Sequence, residues 1–379
     1  MPMLDLKRQY QPLHEELLEA VGHVLETQQF ILGEPVAAFE QAAAKRVGVA
    51  HAIGCSSGTD ALWLALTAAG VSPGMAVVTT PFSFFASVSS ILRAGATPVL
   101  ADIEAATFNL DPTAVEAVLE GPRGADVRAI LPVHLFGQCA DWYSFVRIEV
   151  EHKLALIEDA AQAWGAEWNG VKAGALGDAA AFSFYPTKNL SACGDAGMVT
   201  TDSDKLDERA RMLRQHGMRR RYYHDEMGWN TRMDGFQAAL LQVKLKYVDG
   251  WNEARRKLAT RYHELFTAAG LAEPGTCPIH GVILPQEVPG SRHVWHQYVI
   301  RTVRRNTLRE FLTARGIGSE IFYPVPLHLQ DALKGLGYVQ GSFPQAERAA
   351  REVLALPMFP ELREDEQQAV VSAIAEFLS

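Results

Sequence analysis

Three stretches of the sequence each end an apolar run with residues that can do chemistry. "AAAFSFYPTKNL" carries Ser183 and, five residues later, Lys188, while "LALIEDAAQ" ends its run with Glu158 and Asp159. The third stretch, "HAIGCSSGTDAL", ends in small polar residues. A lysine withdrawn from water becomes a neutral, nucleophilic amine, as Schiff-base chemistry requires. A carboxylate beyond a buried strand is unfavourable unless a charged or hydrogen-bonding group meets it.

The segment "CSSGTDAL" is typical of a helix start. Ser57 and Thr59 are good cap residues, Gly58 lets backbone approach closely, and apolar periodicity begins at Ala61. The free N–H groups of such a helix start form a cradle for an anion. Each of the three stretches also has an ordinary explanation, namely a capped helix, a surface salt bridge and a lysine reaching solvent. Together they match the needs of a pyridoxal phosphate site, which are anion donors, a carboxylate, an aromatic face and a lysine.

The surrounding pattern predicts an α/β protein. From residue 51 to about 200, short apolar runs alternate with helical patterns, which indicates βα units in a mainly parallel sheet. Ligands of such sheets bind beyond the carboxyl ends of the strands, where all three stretches lie. Glu158 and Asp159 are adjacent in a predicted strand, so their side chains point to opposite faces and only one can enter a cleft.

The pattern also predicts two domains. A long amphipathic helix is expected over residues 235–270, and strands and helices of a smaller α+β domain follow it. We therefore predict a large domain over residues 1–249 and a small C-terminal domain over residues 250–379, with residues 1–14 packing on the small domain.

Composition excludes several classes of function. The 379 residues carry a net charge of −9 without long blocks of like charge, which argues against a nucleic-acid or membrane-surface partner. No stretch is apolar for long enough to span a membrane, and the first residues lack a secretory signal, so a cytoplasmic protein is expected. The spacing of Cys55, Cys139, Cys193 and Cys277 predicts neither a disulfide framework nor a metal site.

Longer segments resemble one known family over nearly the whole chain. They are "FILGEPVAAFE", "SSGTDAL", "IEDAAQAWGAEWNG", "FSFYPTKNL", "YYHDEMGWNTRMDGFQAALLQVKL", "YPVPLHLQ" and "LPMFPEL". On these segments the chain resembles the DegT and StrS family of nucleotide-sugar aminotransferases. The resemblance implies the three-layer fold type I of the aspartate aminotransferase superfamily.

The resemblance implies pyridoxal 5′-phosphate as cofactor, with roles for particular residues. Lys188 would hold the cofactor aldehyde as a Schiff base and later move a proton between substrate and cofactor. Asp159 would pair with the pyridine nitrogen, Gln162 would contact the ring hydroxyl, and Phe84 would stack on the ring. The expected phosphate ligands are Gly58, Thr59, Ser183 and Asn230. Because Asn230 would reach the phosphate of the neighbouring subunit, the resemblance implies a homodimer with shared sites.

Lys188 also favours a transaminase, because dehydratase relatives in the family carry His at this position. The implied reaction takes an amino group from L-glutamate, leaving 2-oxoglutarate, and gives it to a keto group of a dTDP- or UDP-linked deoxysugar. "TKNLSACGDAG" resembles relatives that act at the sugar C3, although Thr187, Ala196 and Phe322 depart from the family pattern, and C4 is the alternative. The expected substrate contacts are Tyr185, Tyr223, Arg232, Tyr323 and His328.

Two other classes of protein are considered. A regulatory protein with the same fold but no catalysis would be expected to lose the lysine or to gain a DNA-binding domain, and this sequence does neither. A nicotinamide-dependent oxidoreductase would need G-x-G-x-x-G after the first strand, where the sequence has "GCSSGTDA" instead.

Overall fold

A computed structural model describes residues 1–272 and 281–379, so Cys277 lies outside the described residues. A seven-stranded sheet forms its centre. The strands in chain order are β1 His51–Cys55, β2 Ala76–Thr79, β3 Thr97–Leu100, β4 Val127–Leu131, β5 Ala155–Asp159, β6 Glu167–Trp168, β7 Val171–Lys172, β8 Ala179–Ser183, β9 Gly197–Thr201, β10 Met218–Arg220, β11 Tyr223–His224, β12 Ser291–Arg292, β13 Tyr298–Arg301 and β14 Val353–Leu356.

The helices surround this sheet and build the C-terminal part of the chain. They are α1 Leu6–Tyr10, α2 His14–Thr27, α3 Gly33–Val47, α4 Gly58–Ala68, α5 Ala86–Arg93, α6 Pro112–Glu120, α7 Trp142–His152, α8 Asp204–Leu213, α9 Gly235–Leu245, α10 Val248–Ala268, α11 Arg305–Ala314, α12 Pro344–Glu352 and α13 Glu364–Leu378.

The central sheet has the strand order β1-β9-β8-β5-β4-β2-β3. Strand β9 runs antiparallel to β1 and β8, whereas the pairs β8–β5, β5–β4, β4–β2 and β2–β3 are parallel. The predicted α/β class with a mainly parallel sheet is therefore confirmed. Since β1 and β8 both oppose β9, their carboxyl ends lie at the same edge as that of β5.

Helices cover both faces of the sheet, which gives three layers. Along β8, Ala180 and Phe182 pack in a core with α3 and α9, while Ala179 and Ala181 pack in a second core with α4. This alternation is the period of two expected of a strand that is buried on both sides.

A separate core lies in the C-terminal part of the chain. Strands β13 and β14 pair antiparallel, and side chains from α10, α11 and α13 pack together, including Tyr262, Leu308 and Ile374. The boundary proposed at residue 250 falls inside α10, whose first residue Val248 still belongs to the core around the central sheet.

The single long helix expected over residues 235–270 is wrong, because the chain forms α9 and α10 with a break at Lys246 and Tyr247. Both residues bind Glu16 of α2, the first through its amine at 3.1 Å and the second through its hydroxyl. The apolar residues of the two helices also serve different cores, with Leu241 in the core around the sheet and Leu258 in the C-terminal core. Amphipathic periodicity continues across the break and does not reveal it.

The N-terminal segment contacts the C-terminal part of the chain. The guanidinium of Arg8 donates to both carboxylate oxygens of Glu366 at 2.7 and 2.8 Å and to the carbonyl of Glu361 at 3.2 Å. It also lies 5.5 Å from the centre of the Phe359 ring. The hydrogen bonds from Arg8 lower the pKa of Glu366 to about 2.

Arg8→Gln is expected to lower the midpoint of thermal unfolding by a few degrees at neutral pH. This decrease in the midpoint should be constant down to about pH 4.5 and should vanish towards about pH 2. A glutamate in the unfolded chain titrates near a pKa of about 4.3, whereas Glu366 in the folded chain keeps its charge to about pH 2, so the ion pair is lost only between these values. Calorimetry across this pH range checks the prediction. The control is Lys7→Gln, an equal change of charge at an exposed position of the same helix, and an equal effect there would contradict the role of the ion pair.

Candidate active site

Three strand ends meet at one edge of the central sheet. Asp159 ends β5 and pairs with Ala181 of β8, and Ser183 ends β8. Gly58 follows β1, and a Cβ atom on it would lie 2.5 Å from the Cβ atom of Ser183. Such a contact is shorter than real Cβ atoms show, so only glycine permits this approach at position 58. The carboxyl edge thus brings together the residues expected from the three stretches of sequence.

Helix α4 starts at this edge as an anion cradle. The Ser57 hydroxyl accepts the N–H group of Asp60 at 3.1 Å and caps the helix. The N–H groups of Gly58 and Thr59 lie in the first turn, where an α-helix offers no carbonyl partner. Together with the helix dipole they favour a bound anion such as a phosphate.

The Asp159 carboxylate is buried beside this cradle, with 3% of the residue exposed. Its oxygens accept the hydroxyl of Ser87 at 2.7 Å and the N–H group of Ala161 at 3.2 Å. Burial raises the pKa of Asp159 above its ordinary value, and these hydrogen bonds and the positive charge of Lys188 oppose the rise. A cationic partner within reach would favour the ionised carboxylate further.

Glu158 points to the opposite side of the strand, as alternation along β5 predicts. Its carboxylate bonds the imidazole of His134 at 3.0 Å and accepts the N–H groups of Gly174, Leu176 and Gly177 at 2.7–3.0 Å. Glu158 is fully buried and all its partners are protein groups. It therefore holds a turn in place, while Asp159 faces the site.

Lys188 lies on the loop after β8 and is half-buried. Its backbone N–H group donates to the carbonyl of Tyr185 at 2.8 Å. Burial lowers the pKa of Lys188 to about 8, against the charge of Asp159, which acts to raise it. A substantial fraction of this amine is thus neutral close to neutral pH, which is the condition for nucleophilic attack on a carbonyl group.

A buried polar network fixes the residue after this lysine. The amide of Asn189 donates to Asn252 at 2.7 Å and to the carbonyl of Val294 at 3.1 Å, and its oxygen lies 3.0 Å from Nδ1 of His296. Burial and the nearby charges of Lys188 and Arg255 hold the pKa of His296 well below its usual value. This network has no signal in the sequence, because its members are far apart in the chain and no local pattern joins them.

Gln162 joins the site to the C-terminal part of the chain. Its amide oxygen accepts the N–H group of Phe136 at 2.7 Å, and its amide nitrogen donates to the Tyr323 hydroxyl at 3.2 Å. Burial raises the pKa of Tyr323, so that its hydroxyl stays neutral. Gln162 and Tyr323 are therefore placed together, with Asp159 near enough to influence the pKa of the tyrosine.

The remaining expected site residues differ in their exposure. Phe84, Tyr185, Tyr223 and Asn230 are all exposed, and 61% of Phe84 is accessible. Arg232 is half-buried and forms an isolated bridge with Cys55, so its backbone runs beside the end of β1. The Nε atom of Arg232 is buried without a hydrogen-bond partner.

His328 is placed differently from an open substrate contact. It is 2% exposed, its Nε2 lies 3.1 Å from the carboxylate of Glu347, and its ring packs on Phe343. These contacts give His328 a structural role, and a contact with substrate stays a prediction.

No cluster of three or more His, Cys, Asp and Glu side chains within residues 1–272 and 281–379 is arranged to hold a metal ion. Over the same ranges, no helix is both long and apolar enough to cross a membrane.

The sequence matches the model of the DegT/DnrJ/EryC1/StrS aminotransferase family over residues 11–375. The chain belongs to this family. Its fold is also that of the crystal structure of DesV from S. venezuelae in complex with a ketimine intermediate, with a TM-score of 0.93 and 41% identity over 100% of this chain and 98% of DesV. The predictions of an aminotransferase and of its fold are confirmed.

Two relatives show the range of roles given to similar chains. A "pleiotropic regulatory protein" of Geobacillus stearothermophilus is 48% identical, over 100% of this chain and 98% of that protein. A dTDP-3-amino-3,4,6-trideoxy-alpha-D-glucose transaminase of Streptomyces venezuelae is 41% identical, over 100% of this chain and 96% of that protein. The family member described here resembles both over their full lengths.

The lowered pKa of Lys188 makes its amine unusually reactive at mild pH. On protein stripped of bound small molecules, acylation of Lys188 is expected to reach half its maximal rate near pH 8, whereas an ordinary lysine does so near 10.4. Mass spectrometry of competitively labelled peptides measures both in one sample.

The carboxylate of Asp159 acts against the lowered pKa of Lys188. Asp159→Asn should therefore move the midpoint for Lys188 to still lower pH. The matched control is Asp126→Asn, at an exposed position just before β4 and so at the opposite edge of the sheet. A midpoint for Lys188 near that of exposed lysines would contradict its proposed environment.

Proposed function

We propose that the chain is a pyridoxal-phosphate-dependent aminotransferase that moves the amino group of L-glutamate to a keto group of a nucleotide-linked deoxysugar. The observation that carries the proposal is the meeting of three groups at one sheet edge. The amine of Lys188 has a lowered pKa, Asp159 is buried close by, and α4 presents its N-terminus beside Ser183. Family membership supports the same chemistry.

The residues present fit the cofactor. The first turn of α4 and the hydroxyl of Ser183 offer donors for its phosphate, and Gly58 leaves room where a Cβ atom would intrude. Asp159 offers a buried carboxylate to a protonated pyridine nitrogen, and the amine of Lys188 suits its aldehyde. When bound, pyridoxal phosphate serves as a sink for the electrons of the substrate carbon–hydrogen bond.

The protein's own groups then bind, orient and move protons. The hydrogen bonds to Asp159 favour its ionised form, and this charge keeps a bound pyridine nitrogen protonated. A Lys188 amine with a pKa of about 8 can both accept and return a proton near neutral pH. Gln162 is oriented by the N–H group of Phe136 and the hydroxyl of Tyr323, and it would contact the ring hydroxyl of a bound cofactor.

Amination at the sugar C3 is the proposed position of transfer. It is supported by the similarity to the Streptomyces venezuelae transaminase named for a 3-amino sugar and by the segment "TKNLSACGDAG". Both dTDP- and UDP-linked sugars are proposed as acceptors. The proposed contacts with the substrate are Tyr185, Tyr223, Arg232, Tyr323 and His328.

A homodimer is proposed to complete the site. Phe84 and Tyr185, expected on the cofactor and the substrate, are exposed in a single chain, as are Met227 and Trp229 of the segment that carries Asn230. Large apolar side chains exposed together commonly mark an interface. A second copy that covers them would bring its Asn230 towards the cofactor phosphate, and reaction on a nucleotide sugar would take place in the cytoplasm.

A regulatory role is the second candidate, because the Geobacillus stearothermophilus relative is described as a regulatory protein. The amine of Lys188 and its lowered pKa favour catalysis over this alternative.

The function is tested with a panel of dTDP- and UDP-linked 3-keto and 4-keto deoxysugars supplied with L-glutamate. Transfer to the 3-keto sugars is expected, with the new amine located by NMR and the product by mass. Lys188→Ala should lose turnover and the visible absorption of the lysine-bound cofactor, while Lys205→Ala at an exposed position should keep both. Turnover of 4-keto sugars alone would refute the C3 position, and no turnover would favour the regulatory role.

Gly58→Ala is expected to weaken the binding of pyridoxal phosphate by roughly tenfold or more, since an added methyl group in a tight site costs about 1–3 kcal/mol. The methyl group would press on Ser183 and push the two sides of the phosphate cradle apart. Equilibrium dialysis measures the dissociation constant. Gly250→Ala is the control, because nothing lies within 4 Å of a Cβ atom at that position; unchanged affinity for Gly58→Ala would argue against the cradle.

A further inference from the structure

A chain of two serines leads to the Asp159 carboxylate. The hydroxyl of Ser87 donates to Asp159 at 2.7 Å, and the hydroxyl of Ser83 lies 2.9 Å from that of Ser87. Ser87 is in the first turn of α5, and Ser83 comes just before this helix. Both serines are buried, with 1% and 4% exposed, so water competes little for these hydrogen bonds.

The direction of the chain follows from the number of protons. A serine hydroxyl has one proton to donate, and an ionised carboxylate can only accept. When Ser87 donates to Asp159, the proton between the two serines must therefore come from Ser83. The order Ser83 to Ser87 to Asp159 is satisfied when Asp159 is ionised, and a hydrogen bond donated to a charged group is stronger than one between neutral groups.

Four titratable groups around Asp159 set the background for its charge. Glu158 belongs to the same strand but points to the other side, where it meets His134. Lys188 on the loop after β8 and His134 on the loop after β4 both favour the carboxylate, and Tyr323 stays neutral. Against this background Ser87 is the side chain that touches Asp159 through a direct hydrogen bond.

We propose that Ser87 is a positioning residue which keeps Asp159 ionised and aimed at the cofactor ring nitrogen, with Ser83 holding Ser87 in its donating orientation. The inference rests on the proposed function in that the bound ring is pyridoxal phosphate. Phe84, the aromatic side chain expected on the ring face, lies between the two serines in the sequence. The segment from Ser83 to Ser87 would thus supply both a side chain expected on the ring and the hydrogen bond to Asp159.

Removal of the Ser87 hydroxyl is tested on the dissociation constant for pyridoxal phosphate, measured by dialysis from about pH 6 to pH 9. Ser87→Ala is expected to weaken binding by roughly tenfold, as for the loss of one hydrogen bond to a charged group. Ser83→Ala, one step farther away, is expected to weaken it by about two- to threefold. The control is Ser89→Ala, the same substitution on the same helix at a half-buried serine.

The pH dependence separates a role in charge from one in packing. Without the hydroxyl the pKa of Asp159 rises further, so the carboxylate takes up its proton at higher pH. As the solution is acidified, both proteins should lose affinity for pyridoxal phosphate. Ser87→Ala should lose it at a higher pH than the wild type does. A parallel loss at every pH would overturn the proposal.

A double-mutant cycle shows whether Ser87 acts through Asp159. In the background of Asp159→Asn, Ser87→Ala is expected to cause no further loss of affinity, because the charge that it supports is gone. The midpoints of thermal unfolding, measured for all variants, show that each is folded. An equal loss from Ser87→Ala in both backgrounds would overturn the proposal.

The outcomes distinguish this inference from the proposed function. If the wild type binds pyridoxal phosphate but aminates none of the sugars, the proposed function is refuted. The double-mutant cycle can still be measured in that case, because it uses the dissociation constant for pyridoxal phosphate. Sugar turnover together with a cycle that shows independent effects refutes the role of Ser87 alone. A wild type with no affinity for pyridoxal phosphate overturns both.

Discussion

Burial of two groups of opposite charge at one sheet edge is the constraint on which the site depends. Taking Asp159 out of water raises its pKa, and taking Lys188 out of water lowers its own, so burial drives both towards their neutral forms. Each charge opposes this shift in the other. The hydrogen bonds to Asp159 from Ser87 and Ala161 also lower its pKa and so favour the ionised carboxylate. An amine that is partly neutral beside a carboxylate whose ionised form is supported by hydrogen bonds fits the division of roles that acid–base catalysis requires.

The sheet topology places these groups, and one antiparallel strand is essential to it. Strand β9 lies between β1 and β8, and its first residue, Gly197, faces both Cys55 and Ser183. A Cβ atom on Gly197 would lie 2.3 Å from the carbonyl oxygen of Ser57. Small residues on three different segments thus let the start of α4 approach the end of β8. The cradle is formed by backbone contact and not by long side chains.

The sequence predicts the parts of this site that local pattern determines. Alternation along "LALIED" separates Glu158 from Asp159, and the cap residues of "SSGTDA" predict the start of α4. The break between α9 and α10 is not predicted, because amphipathic periodicity continues through it while two distant cores and Glu16 decide its position. The Asn189–His296 contact joins residues that are 107 positions apart. Ser87 is likewise not predicted as a site residue, because nothing in the sequence near it indicates its hydrogen bond to Asp159, which is 72 positions away.

The two halves of the site differ in how firmly a single chain fixes them. Asp159 and Gln162 are held by buried hydrogen bonds, and the backbone N–H group of Lys188 is held by the carbonyl of Tyr185, so their geometry is set before any ligand arrives. Phe84 and Tyr223, which are expected to contact ring and sugar, are exposed in one chain, and the guanidinium of Arg220 lies 3.9 Å from the centre of the Tyr223 ring. A buried side chain is restrained by its packing and hydrogen bonds, whereas an exposed side chain can be replaced without disturbing the core. A buried half with fixed hydrogen bonds thus lies beside exposed aromatic side chains, so a substitution at Phe84 or Tyr223 can alter the surface of this edge without disturbing the hydrogen bonds to Asp159.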